Sequence, residues 1–163
     1  MKWVQTVFAL LAVAAALLLS PFRSRDAEKL IPVQTLCVHV EDGAWVVETD
    51  SGLFGRGAGP ESALADLERT APGILTLSTA RQIVVSGVEA GLEELVFSEA
   101  LHPGTEVYDS AAPVDAGDVT PFLDRHADGI SISRLRAAFL TGEPVRLPRI
   151  EGDGGRYRIC ETA

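Results

Sequence analysis

The sequence predicts an α/β (α+β) domain: a mixed β-sheet of about five strands with two helices packed on one face, plus an N-terminal transmembrane helix. Three observations carry this. Leu36, Val38 and Val40 alternate with Cys37 and His39, and Ala44 to Thr49 returns after Glu41-Asp42-Gly43, so the chain opens as a hairpin. Two helical patterns, from Pro60 and from Glu89, bracket the strand-like run Gln82-Ile83-Val84-Val85-Ser86. Trp3 to Leu19 is an uncharged run of 17 residues.

That run spans roughly 25 Å as a helix at about 1.5 Å per residue, just short of a ~30 Å hydrocarbon core. Residues 1–22 are therefore a membrane anchor or signal segment, residues 23–32 a tether, and residues 33–163 an extracytoplasmic α/β domain. The small residues that a signal cleavage needs, Ala12 to Ala16, lie inside the apolar run, and Leu17-Leu18-Leu19 follows. This favours an uncleaved anchor over a cleaved signal or a buried soluble helix. Arg23, Arg25 and Lys29 oppose Lys2, so positive charge orients the segment weakly. The acidic remainder places the domain outside the cytoplasm.

All 23 acidic residues follow Phe22 and only Lys2 of the 14 basic ones precedes it, which leaves −10 on the rest of the chain. Nucleic-acid binding needs basic surface against phosphates and is excluded as a class. An electrostatic hold on anionic lipid is disfavoured on the same ground. Cys37 and Cys160 lie in the first and last strand patterns. A disulfide forms only if those strands are neighbours; otherwise each thiol is a small apolar residue.

The elements follow in order. Leu53 to Gly57 is a third strand, weakened by its glycines. Gly59-Pro60-Glu61 opens a helix with Ala63, Leu64 and Leu67 on one face, and Ala71-Pro72-Gly73 stops it. Ile74 to Leu77 is a short apolar connection, and Gln82 to Ser86 a central strand. Glu89 to Leu101 is a second helix with Leu92, Leu95, Val96 and Leu101 inward. Glu106-Val107-Tyr108 is a fifth strand. Ser110 to Gly117 is loop, and Thr120-Pro121 starts a short helix over Pro121 to Ala127. Ser133 caps a further helix, with Leu135, Ala138, Phe139 and Leu140 as its apolar face and Gly142 as its end. Pro144 to Ile150 is extended, Gly152 to Gly155 turns, and Arg156 to Cys160 is a last strand without a following partner.

At Gly57 to Gly87 the chain reads GAGPESALADLERTAPGILTLSTARQIVVSG, a glycine-led strand, a helix, a short connection and a strand. A helix of the form LEEL and another strand follow. With RLRAAFLTGEPVRLPRIEGDGGRYRI near the end, this resembles the N-terminal domain of the Ger(x)C family, the C subunits of spore germinant receptors, in abbreviated form. The resemblance covers about Val33 to Ile159. It implies a non-catalytic protein of the spore inner membrane. That protein would act in germination or sporulation through contacts with receptor-type membrane partners. It implies no catalytic residues and no cofactor.

No hydrolase or nucleotide fingerprint interrupts that reading. Ser86-Gly87 lacks the surrounding G-x-S-x-G elbow, and Gly55, Gly57 and Gly59 match neither the dinucleotide nor the P-loop spacing. Trp45 and Phe54 are expected as cross-strand core partners. His39 and His102 read as surface or helix-end residues. The one cluster of metal-ligating types is Asp118, Asp124, His126 and Asp128, with Asp124 and Asp128 one helical turn apart. It supports an alternative reading, an envelope solute- or divalent-cation-binding domain using segment 115–128. A solvated acidic face with helix caps accounts for the same residues.

Overall fold

A computed structural model of the chain describes residues 29–88, 90–126, 128–153 and 156–160. The anchor expected at 1–22 and most of the tether lie outside the described residues. Among those described, no helix is long and apolar enough to cross a membrane.

The hairpin forms as its sequence requires. β2 (Thr35–Glu41) and β3 (Ala44–Thr49) pair antiparallel, with Val38 opposite Val47. Asp42 (φ 51°) and Gly43 (φ 77°) supply the two positive φ values of a tight two-residue turn. β4 (Phe54–Gly57) adds antiparallel to β3. The preceding strand, β1 (Leu30–Pro32), forms from the end of the expected tether. It pairs in parallel with β5 (Ile74–Thr76), where the sequence indicated only a connection, and a 3-10 turn follows.

The main sheet is larger than the five strands expected. Its eight strands include a parallel centre, β2, β6 (Gln82–Ser86), β7 (Glu106–Ser110) and β9 (Arg149–Asp153), joined in that order. β6 is buried at every residue, as a central strand should be. β8 (Ile130–Ser131) pairs with the first half of β7, and β9 takes over alongside the second half. β10 (Arg156–Cys160) pairs antiparallel with β9, so the last strand finds its partner within the domain.

Four helices flank this sheet among the described residues: the two expected on one face do lie together there, and the two that follow in the chain divide between that face and the other. α1 (Pro60–Thr70), α2 (Leu92–Phe97) and α4 (Ile132–Thr141) contribute Ala63, Leu64, Leu67, Leu95, Val96, Ile132 and Leu135 to one core. Leu36, Val38, Val47, Ile83, Val85 and Val107 meet them there. α3 (Ala116–Leu123) packs Ala116, Val119 and Leu123 on the other face, against Cys37, Val84, Tyr108 and Ile150. The alternation of strand side chains divides neighbouring residues between the two cores.

The glycines of β4 explain how α1 sits so close. A methyl group on Gly55 would intrude on the Ala63 carbonyl and the Leu67 amide and lie 2.6 Å from Leu67 Cβ. Asp66 of α1 reaches over the outer edge of β4, where its Oδ2 accepts the Arg56 N–H at 3.0 Å. The edge thereby loses a free donor for pairing with another chain.

Several expectations are corrected. α2 runs six residues, not Glu89 to Leu101. It ends at Phe97, where Ser98 turns extended (φ −57°, ψ 131°), and Arg136 of α4 satisfies carbonyls at that end, Nε donating to Val96 O at 2.7 Å and Nη2 to Ser98 O at 2.9 Å. α3 begins at Ala116, not at Pro121. Asp115 is its cap, accepting the Asp118 N–H at 2.9 Å, and Thr120 is interior, its hydroxyl donating to Ala116 O. α4 is capped by Ser131, not Ser133, and ends at Gly142 (φ 70°) as read. Its buried face is Ile132, Leu135 and Ala138, whereas Phe139 and Leu140 point outward. Trp45 and Phe54 do not pair: Trp45 is buried opposite Gly57, while Phe54 stands opposite Glu48 and is 68% exposed. Cys37 and Cys160 are both free thiols. Their strands are separated by β6, β7 and β9, a lateral distance of about 19 Å at ~4.8 Å per strand.

Candidate functional site

The metal-ligating residue types singled out in the sequence do not converge. Asp118 stands exposed in the first turn of α3. Asp124 is the C-cap of that helix and Asp128 lies beyond its end, so the helical turn expected to align them is absent. His126 lies against Phe122, ring centroids 4.3 Å apart, and its Nδ1–H donates to Phe122 O at 2.8 Å. A carbonyl only accepts, which assigns the proton to Nδ1. Among the described residues no group of three or more His, Cys, Asp or Glu is placed to hold a metal ion.

The other candidates are spent on structure. His102 Nδ1 accepts the Gly104 N–H at 3.0 Å within a turn, and His39 sits half-buried on β2 opposite Val46. The Ser86 hydroxyl donates to Ala112 O at 3.1 Å. The Cys37 thiol is buried, and desolvation, then the nearby Glu48 and Asp115 carboxylates, push its ionisation far up. Such a thiol is a poor nucleophile. Tyr108 is fully buried and its hydroxyl donates to Glu106 Oε2 at 2.6 Å.

One of several concavities of similar size among the described residues lies elsewhere, outside the carboxyl ends of β6 and β7. The two strands are parallel neighbours, but their chains leave in opposite directions. After β6 the chain turns at Gly87 (φ 66°) toward α2 on one face. After β7 it bends toward α3 on the other, held there as Ser86 and Ser110 both donate to Ala112 O. A gap must open where such exits diverge, and this is the position where open α/β sheets hold their ligands. The gap is a crevice of about 440 Å³.

Its lining divides by chemistry. Val85, Val88, Leu92, Val145 and Leu147 form the apolar part, while Asp109, Arg146 and Arg149 supply charge. Arg149 Nε and Nη2 each lie 2.7 Å from Asp109 Oδ2, an ion pair that ties β9 to β7. Asp109 is thereby engaged by a guanidinium that does not give up its proton, so the pair is suited to positioning charge rather than to proton transfer. The sequence offered one faint signal for this site, an aspartate in the otherwise buried strand Val107 to Ser110. Its partner arginine lies 40 residues on, beyond any local pattern.

Comparison with known proteins finds no protein-family model, no curated protein and no solved structure that matches this chain.

Proposed function

We propose that this chain is a membrane-anchored extracytoplasmic protein, non-catalytic, that works through contacts with membrane-protein partners. The resemblance of Gly57 to Gly87 to germinant-receptor C subunits gives those contacts a setting, spore germination or sporulation. One observation carries the reading. Leu30 and Ile74 are register partners across β1 and β5, and they are 50% and 53% exposed. Leu30 is the second described residue and Ile74 stands beside it, at the end that residues 1–28 would hold near a bilayer. Adjacent large apolar side chains at that end suit a surface that rests against a membrane partner.

Deletion of the gene in its host, scored for spore germination and sporulation, tests the setting; normal behaviour in both overturns it. The double change Leu30→Lys and Ile74→Lys tests the surface. It is expected to leave the melting curve of the domain unchanged and to abolish co-purification of membrane proteins from solubilised membranes. Undiminished co-purification would overturn the contact reading.

A further inference from the structure

We infer that two copies of this chain dimerise through their helix layers, α4 of each copy lying along the groove between α1 and α2 of the other. This goes beyond the contact reading and does not depend on it. The helix layer is one surface: α2 sits between α1 and α4 and touches both. Its outer side leaves three large apolar side chains in solvent, Phe97 on α2 (38% exposed) and Phe139 and Leu140 on α4 (39% and 77%). Apolar exposure gathered on one side of a layer is the mark of an interface.

The two flanks of the layer carry opposite, unmet charges. Glu61, Ala65 and Glu68 follow one another along one stripe of α1, and with Leu64, Phe97 and Glu99 they line a groove of about 430 Å³ between α1 and α2. Arg134, Ala137 and Leu140 follow one another along the exposed stripe of α4, a helix with no acidic residue. Among the described residues, neither the Glu61, Glu68 and Glu99 carboxylates nor the Arg134 guanidinium has an ion-pair partner.

The fold sets the direction of the contact. α1 ends and α4 begins at the amino ends of the parallel strands: α1 leads through β5 to the start of β6, and the Ile132 N–H donates to Thr105 O just before β7. A two-fold axis parallel to α2, between it and α4, lays each α4 antiparallel to α1 of the other copy. Arg134 then meets Glu68 and Glu99, the small Ala137 and Ala65 let the helices close, and Leu140 enters the groove toward Glu61. The contact is isologous, so it closes at two copies and uses each unmet charge twice.

The test measures self-association of the full chain in dodecyl maltoside by sedimentation equilibrium across the micromolar range. A reversible dimer is expected. Glu68→Arg and Arg134→Glu should each weaken it by about tenfold or more, because each reversal sets like charges against one another at two places in the dimer. The two changes together restore opposite charges and should bring the dissociation constant back to within about threefold of the original. Leu140→Ser should weaken the dimer as well. All of these side chains are exposed, so every variant should keep the native circular dichroism spectrum. A monomer throughout the micromolar range, a dimer indifferent to both single reversals (as one held by residues 1–22 would be), or a double variant no tighter than the single ones would each overturn the proposal.

Discussion

Replacing Gly55 by alanine adds one methyl group where the structure has no room for it. The new Cβ would press on the Ala63 carbonyl oxygen and the Leu67 amide nitrogen and sit 2.6 Å from Leu67 Cβ. Two of these obstacles are main chain, so no rotamer change relieves them. α1 must lift away from β4, loosening Ala63 and Leu67, both fully buried. Overpacking of this kind costs about 1–3 kcal/mol and more when the backbone must move, so we expect about 3 kcal/mol. A domain of roughly 130 residues unfolds with an entropy near 0.27 kcal/mol/K, so the melting temperature should fall by about 11 °C. Gly52→Ala is the control. It has φ +75° and nothing within 4 Å, so only the left-handed backbone penalty applies, about 1 kcal/mol or ~4 °C. Thermal unfolding of the full chain in detergent, followed by near-ultraviolet circular dichroism, compares the two. If Gly55→Ala melts with or above Gly52→Ala, the close approach of α1 to β4 is wrong.

Other perturbations probe separate parts of the same architecture. Arg136→Met keeps the aliphatic stem but leaves the Val96 and Ser98 carbonyls without their donors; a loss of about 2 kcal/mol is expected, with amide exchange rising first in α2. The Arg56 N–H, then the Arg69 side chain, hold the Asp66 carboxyl below its ordinary range. A depressed folded value means that this group's stabilisation is present above its unfolded pKa of about 3.9 and is lost as pH falls through the folded value. Asp66→Asn should therefore flatten the acid limb of a stability-pH profile below about pH 4 and leave its shape at neutral pH unchanged. With about 19 Å between their strands, far beyond the ~7 Å Cα limit, Cys37 and Cys160 should not cross-link under oxidation. Half-exposed Cys160 should alkylate well before buried Cys37. A Cys37–Cys160 disulfide in the folded protein, detected by mass spectrometry, would refute the strand order.

Signals carried by a few adjacent residues match the structure. Asp42-Gly43 names its turn because few residues tolerate two positive φ values in succession. Gly142 ends α4 for the same reason. The unbroken apolar run Ile83-Val84-Val85 declares a strand buried on both faces. Where two local signals competed, the choice needed tertiary context. Thr120-Pro121 looks like a helix start, yet Asp115 caps five residues earlier, because a start there lays Ala116, Val119 and Leu123 together on the sheet. Phe139 and Leu140 read as core by hydrophobicity, but Leu140 ends 77% exposed because the helix has only one buried stripe, already occupied by Ile132, Leu135 and Ala138.

The sequence by itself determined the hairpin, the crossover of α1 from β4 toward β6, the acidic balance and the uncharged run Trp3 to Leu19, since each rests on spacing or composition within a few neighbouring residues. Only the tertiary structure decided that β9 lies beside β7, that α3 takes the opposite face, and that Asp109 meets Arg149 at the mouth of a crevice. Those outcomes depend on pairing between segments tens of residues apart. Parallel pairing leaves no mark in either strand that names its partner, so the place where chain exits diverge exists only once the whole sheet is assembled.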